Sequence, residues 1–185
     1  MTVLDGLRVR LRAFRDDDLP QFFALHSDPR VMRYWSFAAW TDLSQAQAYF
    51  ESAKAGRDPD RMLCRVIALP ADDRLIGAVT LYAINREQGR AEIGYALSSA
   101  HWGHGYAREA VQLVITHAFD VLGLRRIEAD IDPRNAASCR LVEQLGFVRE
   151  GLLRERWHVA GELCDTVLYG LLARDWRAGE AATRP

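Results

Sequence analysis

The sequence predicts an α+β fold: a mixed, mostly antiparallel sheet with one central parallel β-α-β step, flanked by helices. Three observations predict it. Apolar, strand-like runs separated by short polar turns fill the middle of the chain, the pattern of an antiparallel meander. The hydrophobic period then becomes helical from about Ala107 to Leu122 and returns to a strand at Arg126 to Asp132. A strand, a helix and a strand of that length place the two strands parallel, with a right-handed crossover. Finally, 185 residues that are 49% hydrophobic and 26% charged suit a single globular domain whose core needs no disulfide or metal staple. The domain is expected over residues 1–176, with 177–185 a flexible C-terminal tail.

Each element has its own reason. Leu7, Val9, Leu11 and Ala13 alternate with Arg8, Arg10 and Arg12, so a half-buried first strand is expected. Asp16 to Asp18 supply caps for a helix with Leu19, Phe22, Phe23 and His26 on one side, and Asp28-Pro29 ends it. Residues 30–42 are irregular and aromatic. Ser44 with Gln47 fits a capping box that opens a helix ending near Gly56. Strands follow at Met62 to Leu69, Leu75 to Ile84 and Ala91 to Leu97, joined by turns at Pro70 to Asp73 and Asn85 to Gly89. Gly123 stops the Ala107 helix. Asn135 caps a last helix, which Gly146 stops. Phe147 to Val159 and Glu162 to Leu172 make a closing hairpin around Ala160-Gly161.

Composition excludes several functions. Lys and Arg number 24 against 25 Asp and Glu, for a formal charge of -1; non-specific nucleic-acid binding rests on a large positive excess. No apolar run approaches the roughly 18 residues of a membrane span, and Met1 to Arg15 carry no apolar signal segment. Cys64, Cys139 and Cys164 lack CxxC spacing, and the five histidines lack a ligand pattern such as HExxH. No metal is expected, and reduced thiols in a cytoplasm fit best.

The chemistry should lie where the parallel strands part, because a ligand there faces their carboxyl ends and a helix N-terminus. The joining loop contains Trp102-Gly103-His104-Gly105-Tyr106-Ala107-Arg108. Gly103 and Gly105 free the backbone so that successive amides can point at one phosphate, reinforced by the positive helix end. GxGxxG and GxxxxGK[ST] are both absent, which disfavours a dinucleotide fold and a P-loop. Gly-x-Gly alone also fits a plain tight turn.

Four stretches together resemble the GNAT N-acetyltransferases, and within them the RimJ/RimL-type branch. They are Asp28-Pro29-Arg30-Val31, Ala91 to Leu97 followed by Trp102 to Ala110, Asp132 to Ser138, and Leu145 to Gly151. The resemblance covers about residues 7 to 176 and implies a GNAT-like sheet and acetyl-CoA as the acetyl-donor cosubstrate. It implies that the strand from Glu92 to Leu97 bulges away from the strand at Arg126 to Asp132. The pantetheine arm would fill that gap, bonding backbone groups at Tyr95, Ala96 and Leu97. The loop Trp102, Gly103, His104, Gly105, Tyr106, Ala107 and Arg108 would hold the pyrophosphate. Trp102 departs from the family's usual Arg or Gln at the loop's first position, and Arg108 is placed to supply a charge-assisted contact instead. Asn135 would orient pantetheine while capping its helix, and Ser138 would donate a hydrogen bond to the departing sulfur.

The nucleophile would be the acceptor's neutral amine. An α-amine, with pKa about 7.7–8.0, is already roughly a tenth neutral at pH 7, whereas a lysine amine at about 10.4 needs far more help. Glu92 is the leading base, with Glu155 and Asp165 behind it. Tyr34, Trp35, Phe37, Trp40 and Trp157 are expected to wall the acceptor pocket, with His158 beside them; a satellite core is the plainer reading of the aromatic group. The expected activity is direct acetyl transfer from acetyl-CoA to a primary amine, either a protein N-terminus or a small molecule. The alternative is a non-catalytic acyl-CoA-binding sensor or partner-binding module. The expected protein is a monomer or homodimer that binds neither nucleic acid nor membrane. Near-neutral charge argues weakly against a polycationic acceptor.

Overall fold

A computed structural model describes residues 3–54 and 61–183. Eight strands form one sheet in the order β1-β2-β3-β4-β5-β6-β8-β7. They are β1 (Leu4–Asp5), β2 (Arg10–Arg12), β3 (Leu63–Ala68), β4 (Leu75–Asn85), β5 (Arg90–Leu97), β6 (Arg126–Ile131), β7 (Val148–Val159) and β8 (Glu162–Leu172). Every pairing is antiparallel except β5 with β6. The helices are α1 (Leu19–Ser27), α2 (Pro29–Met32), α3 (Leu43–Lys54), α4 (Tyr106–Asp120), α5 (Ala136–Gln144) and α6 (Ala173–Thr183). Thus α4 makes the crossover between the two parallel strands, as its apolar stripe of Ala110, Val111, Val114, Ile115 and Ala118 requires.

The alternation of each strand divides the core between two faces. On one face Ile127, Ala129 and Ile131 of β6 pack with the stripe of α4 and with Val142 of α5. On the other face Phe22 of α1, Trp40, Phe50 of α3 and Val66 of β3 form an aromatic cluster. Glu128 and Asp130 of β6 alternate with its apolar residues and so stand on this second face.

Three local expectations are corrected. The first strand is broken: Leu7 is 96% exposed, because Gly6 to Val9 turn back on themselves and are drawn to α4. The Gly6 amide donates to the Val9 carbonyl, while the Arg8 and Val9 amides both donate to Glu109 Oε1. The cap of α3 lies two residues earlier than Ser44 and Gln47. The Asp42 carboxylate accepts from the Ser44 amide, and Gln45 reaches back to the amides of Thr41 and Asp42; Gly56 lies outside the described residues. The segment from 177, expected to be a frayed tail, is helical to Thr183 as part of α6, anchored by buried Ala173 and Trp176.

Candidate active site

The site begins where a ladder stops. Parallel pairing runs Arg90 with Arg126, Ala91 with Ile127 and Glu92 with Glu128. Beyond Glu92, β5 stays bonded to β4 as far as Leu97, while β6 stays bonded to β8. The facing edges of β5 and β6 therefore diverge, leaving backbone donors and acceptors that need partners. A cleft of about 470 Å³ opens there, lined from β5 by Glu92 to Tyr95, from β6 by Ala129 to Ile131, and by Asp132, Asn135 and Ser138.

Across this gap the Tyr95 hydroxyl lies 2.7 Å from the Ser138 hydroxyl. Burial pushes the Tyr95 phenol up to about 12, the Ser138 contact opposing that shift, so Tyr95 stays protonated at neutral pH. With Tyr95 donating, the Ser138 proton is free to point elsewhere. Ser138 is fixed from behind, since the Asn135 side chain accepts from its amide at 3.1 Å and caps α5. The sequence pointed to the backbone of Tyr95 and missed its hydroxyl, because nothing local shows that β5 and α5 meet there.

Glu92 sits at the last paired position, directly opposite Tyr82 on β4. Burial raises its carboxyl above the usual range, and the charges of Glu128 and Asp130 push the same way, while the Tyr82 hydroxyl and Arg90 oppose them. Asp130 accepts from Trp157 Nε1 at 3.3 Å and from the Thr166 hydroxyl. Asp165 lines the cleft too and accepts from the Glu155 amide at 2.8 Å. Glu155 itself occupies a bulge of β7 with φ +51° and is outside the cleft lining, as is His158. The wall thus gathers four carboxylates, Glu92, Asp130, Asp132 and Asp165, against Arg156, with Asp132 paired to neighbouring Arg134. Net charge hid this local excess. The alternation along β6, with Glu128 and Asp130 on one face, is the sequence signal that could have found it.

Tyr34, Trp35 and Trp157 do line the cleft, joined by Tyr49 and Tyr82. Trp40 does not: it is buried and stacks on His26 at 4.4 Å between ring centroids. Trp40 and Trp35 looked alike in sequence, but the Trp40 amide bonds the His26 carbonyl, pinning that end of the loop to α1. The loop is also held at its start. Asp28 caps α2 and accepts from the Ser99 hydroxyl at 2.7 Å, linking α2 to the turn after β5.

The glycine loop lies beyond this cleft, past Ala96 and Leu97. The Trp102 indole donates to the Leu97 carbonyl at 2.8 Å, so the residue at the unusual first position ties loop to strand. Gly103 and Gly105 have φ +80° and +79°, backbone that side chains rarely adopt. Gly105 is the N-cap of α4, without a side-chain cap, so the first amides of that helix, those of Tyr106, Ala107 and Arg108 among them, face outward for an anion. The His104 ring stacks on Tyr106, and the His104 carbonyl accepts from Arg8 at 3.1 Å. Arg8 therefore brings a guanidinium beside Gly105, a placement absent from the sequence reading. Arg108 faces the exposed groove that Arg8 and Gly105 also line. Among the described residues no group of three or more His, Cys, Asp or Glu is placed to hold a metal ion, and no helix is long and apolar enough to cross a membrane.

Comparison with known proteins decides the family. The family model for the acetyltransferase (GNAT) domain matches residues 8–148. The chain belongs to the GNAT acetyltransferases, in their RimJ/RimL-like group. It is 37% identical to N-acetyltransferase p20 of Bacillus licheniformis, itself uncharacterized, over 95% of this chain and 99% of that one. The fold matches a GCN5-related N-acetyltransferase from Brucella melitensis with a TM-score of 0.84 at 25% identity, covering 98% of this chain and 83% of that one. It also matches a spermidine N-acetyltransferase from Vibrio cholerae, solved with CoA and spermine, with a TM-score of 0.82 at 24% identity over 93% and 99% of the two chains. The protein is thus an N-acetyltransferase.

Proposed function

We propose that this acetyltransferase carries the acetyl group of acetyl-CoA to a primary amine by direct attack in a ternary complex. The Tyr95–Ser138 contact across the open gap carries the proposal. Pantetheine would lie between the parted strands as an extra strand, bonding the free edge at Tyr95 to Leu97. The pyrophosphate would rest on the amides following Gly103 and Gly105. A backbone amide of β5 would polarise the thioester carbonyl. The amine attacks that carbon, its N–C bond forms, and the C–S bond breaks with the electron pair leaving on sulfur. Ser138 donates its proton to that sulfur, Tyr95 replaces it, and Tyr95 regains a proton through water, which also carries off the ammonium's first proton before attack. Glu92 takes the proton lost by nitrogen, and its raised pKa makes it a stronger base than an ordinary carboxylate.

No acyl-enzyme is needed. Cys64, buried, is pushed up to about 11, so it stays a thiol and a poor nucleophile. Glu92, Asp130 and Asp165 beside Tyr34, Trp35 and Trp157 suit an acceptor that arrives as an ammonium, drawn by charge and by ring faces. A protein N-terminus or a small amine meets that requirement. The three free cysteines suit a reducing cytoplasm.

The test is CoA release from acetyl-CoA with a panel of N-terminally varied peptides and small amines. Release that needs the amine and falls in Ser138→Ala supports transfer. Tight CoA binding with no release for any amine would leave a binding module instead.

A further inference from the structure

A second, smaller chamber opens from the same cleft, and neither the family nor the transfer reading assigns it a role. It holds about 80 Å³ behind β5, and Gly94, Tyr95 and Tyr82 belong to both walls. Its far wall is Ala78 and Thr80 of β4 with Cys64 of β3; its sides are Phe22, His26 and Trp35.

The passage depends on Gly94. A Cβ there would stand 3.4 Å from the Tyr82 ring, so any side chain narrows the opening between cleft and chamber. A glycine inside a strand weakens it and marks close approach by a ligand or another backbone. Gly94 is neither a turn nor a bulge, since its pairing with Thr80 is regular. What it provides is room.

The lining is uncharged and mostly apolar, with Tyr49, Thr80, Tyr82 and Tyr95 as its hydroxyl-bearing residues. His26 Nδ1 is 3.0 Å from the Phe22 carbonyl; a carbonyl only accepts, so that nitrogen carries the proton. Burial lowers the pKa of His26, leaving a neutral ring that offers no cation. Arg65 alternates with Cys64 and Val66 along β3 and so projects from the opposite face. The polar atoms of the far wall satisfy each other, with Cys64 Sγ 2.9 Å from Thr80 Oγ1. An apolar group entering leaves the Cys64–Thr80 and His26–Phe22 contacts in place, while a carboxylate would lose its water and meet no cation in the lining.

We propose that this chamber receives the carbon chain of the donor's acyl group, so that the enzyme accepts short uncharged acyl groups longer than acetyl. The proposal rests on the transfer reading for the place of the thioester: beside Tyr95 to Leu97, whose first two residues also line the chamber. A cavity of roughly 150 Å³ holds benzene, so about half that volume takes roughly three carbons. Propionyl and butyryl groups fit, whereas succinyl and malonyl groups bring a charge the lining cannot match. Each methylene moved from water favours binding about fourfold.

Two measurements on the full chain test this. Calorimetry gives the affinities of CoA, acetyl-CoA, butyryl-CoA and succinyl-CoA, and CoA release gives the transfer rates. Butyryl-CoA should bind up to roughly 15-fold more tightly than acetyl-CoA, and succinyl-CoA no more tightly than CoA. Ala78→Leu fills the chamber from its far wall. It should weaken butyryl-CoA by about tenfold or more and leave acetyl-CoA within about twofold. Cys64→Ala widens the chamber and should shift preference to longer chains; it covers the case in which Ala78→Leu does not fold. The proposal is overturned if butyryl-CoA binds less tightly than acetyl-CoA in the wild type, or if folded variants change every acyl length equally. It is also overturned if they move the KM of the amine instead, which would make the chamber an acceptor pocket. Binding that follows chain length without transfer to any amine would keep the chamber and refute the transfer reading. Transfer of acetyl alone would do the reverse.

Discussion

The two faces of the sheet are built from different chemistry. The face under α4, α5 and α6 is largely aliphatic: Val111, Val114, Ile115, Ile127 and Leu171 are essentially sealed from solvent. The face under α1 and α3 is aromatic and keeps ionisable groups inside, with Arg12 bonded to Asp18 at 2.7 and 2.8 Å and His26 stacked on Trp40. Burying a charge is costly unless it is paired and hydrogen-bonded; the second face meets that cost with a carboxylate partner for Arg12, whereas buried Arg65 on the first face bonds the Cys64 carbonyl. The acidic cleft wall and the small chamber both open on this second face. The first face frames the crossover and presents the amides of α4. In the proposed mechanism one side holds the donor by backbone geometry, and the other selects what reacts through side chains. Damage to the first should appear in binding of CoA itself, and damage to the second in the acceptor, in acyl-chain preference or in pH dependence.

The largest expected effect breaks the donor side alone. Gly105→Asp puts a carboxylate in the anion nest, beside the Arg8 guanidinium, whose nearest nitrogen is 2.8 Å from a Cβ at that position. CoA affinity should fall by more than about 100-fold. Gly105→Asn has nearly the same shape and tolerates left-handed backbone, so the difference between the two isolates charge. Calorimetry with CoA on folded protein measures it. Equal losses in both variants would mean that shape, not an anion, dictates the glycine.

Next comes the seam between the faces. Ser138→Ala should lower kcat about 10- to 100-fold with CoA affinity nearly unchanged, because the hydroxyl acts as charge develops on sulfur. Tyr95→Phe should lose less, and the double variant little more than Ser138→Ala, since the two hydroxyls form one relay. Fully additive losses in kcat would separate them.

How far the sequence carried the reading follows the same division. The donor side is written locally. Gly103 and Gly105, the α4 stripe and the Asn135 cap are all signals within a few residues, and all stand where expected. The acceptor side is assembled from distant pieces. Tyr34 and Trp35 from the loop after α2, Trp157 from β7 and Asp130 from β6 meet only in the fold. No local rule separates Trp35, which lines the cleft, from Trp40, which packs into the core. Arg8 reaches the glycine loop only because Glu109 captures the turn at Gly6 to Val9, 100 residues away in sequence. The first strand failed as a pattern for that reason: a tertiary contact overrode its period-two alternation.

The acceptor side yields a smaller effect. Asp130→Asn keeps an acceptor for Trp157 and Thr166 but removes the charge. The KM for an ammonium-bearing amine should rise roughly tenfold, with CoA affinity unchanged. Steady-state kinetics at varied amine checks it. An unchanged KM would move cation recognition to Asp165 or to the aromatic rings.

The finest test concerns Glu92, which both faces share: its backbone holds the last parallel pair and its side chain enters the cleft. Its raised carboxyl pKa means that the folded protein holds that proton more tightly than the unfolded chain does. Its contribution is therefore greatest at low pH and is lost as pH rises through the folded value. Glu92→Gln keeps the shape without the ionisation, so it should raise the Tm at pH 7 to 8 relative to wild type. Activity should move the other way. An amine that is mostly protonated at pH 7 needs a base, and the variant should lose kcat/KM there. Near pH 9 an α-amine is mostly neutral, so the variant should recover toward wild type. Both observables come from the same pair of proteins, as melting curves and as kcat/KM against pH with one amine. A stabilised variant whose activity ratio stays constant from about pH 6 to 9 would make Glu92 a strained structural carboxylate. The proton would then leave through Asp165 or water. A destabilised variant that still recovers at high pH would show instead that the Tyr82 and Arg90 contacts outweigh the burial of the charge.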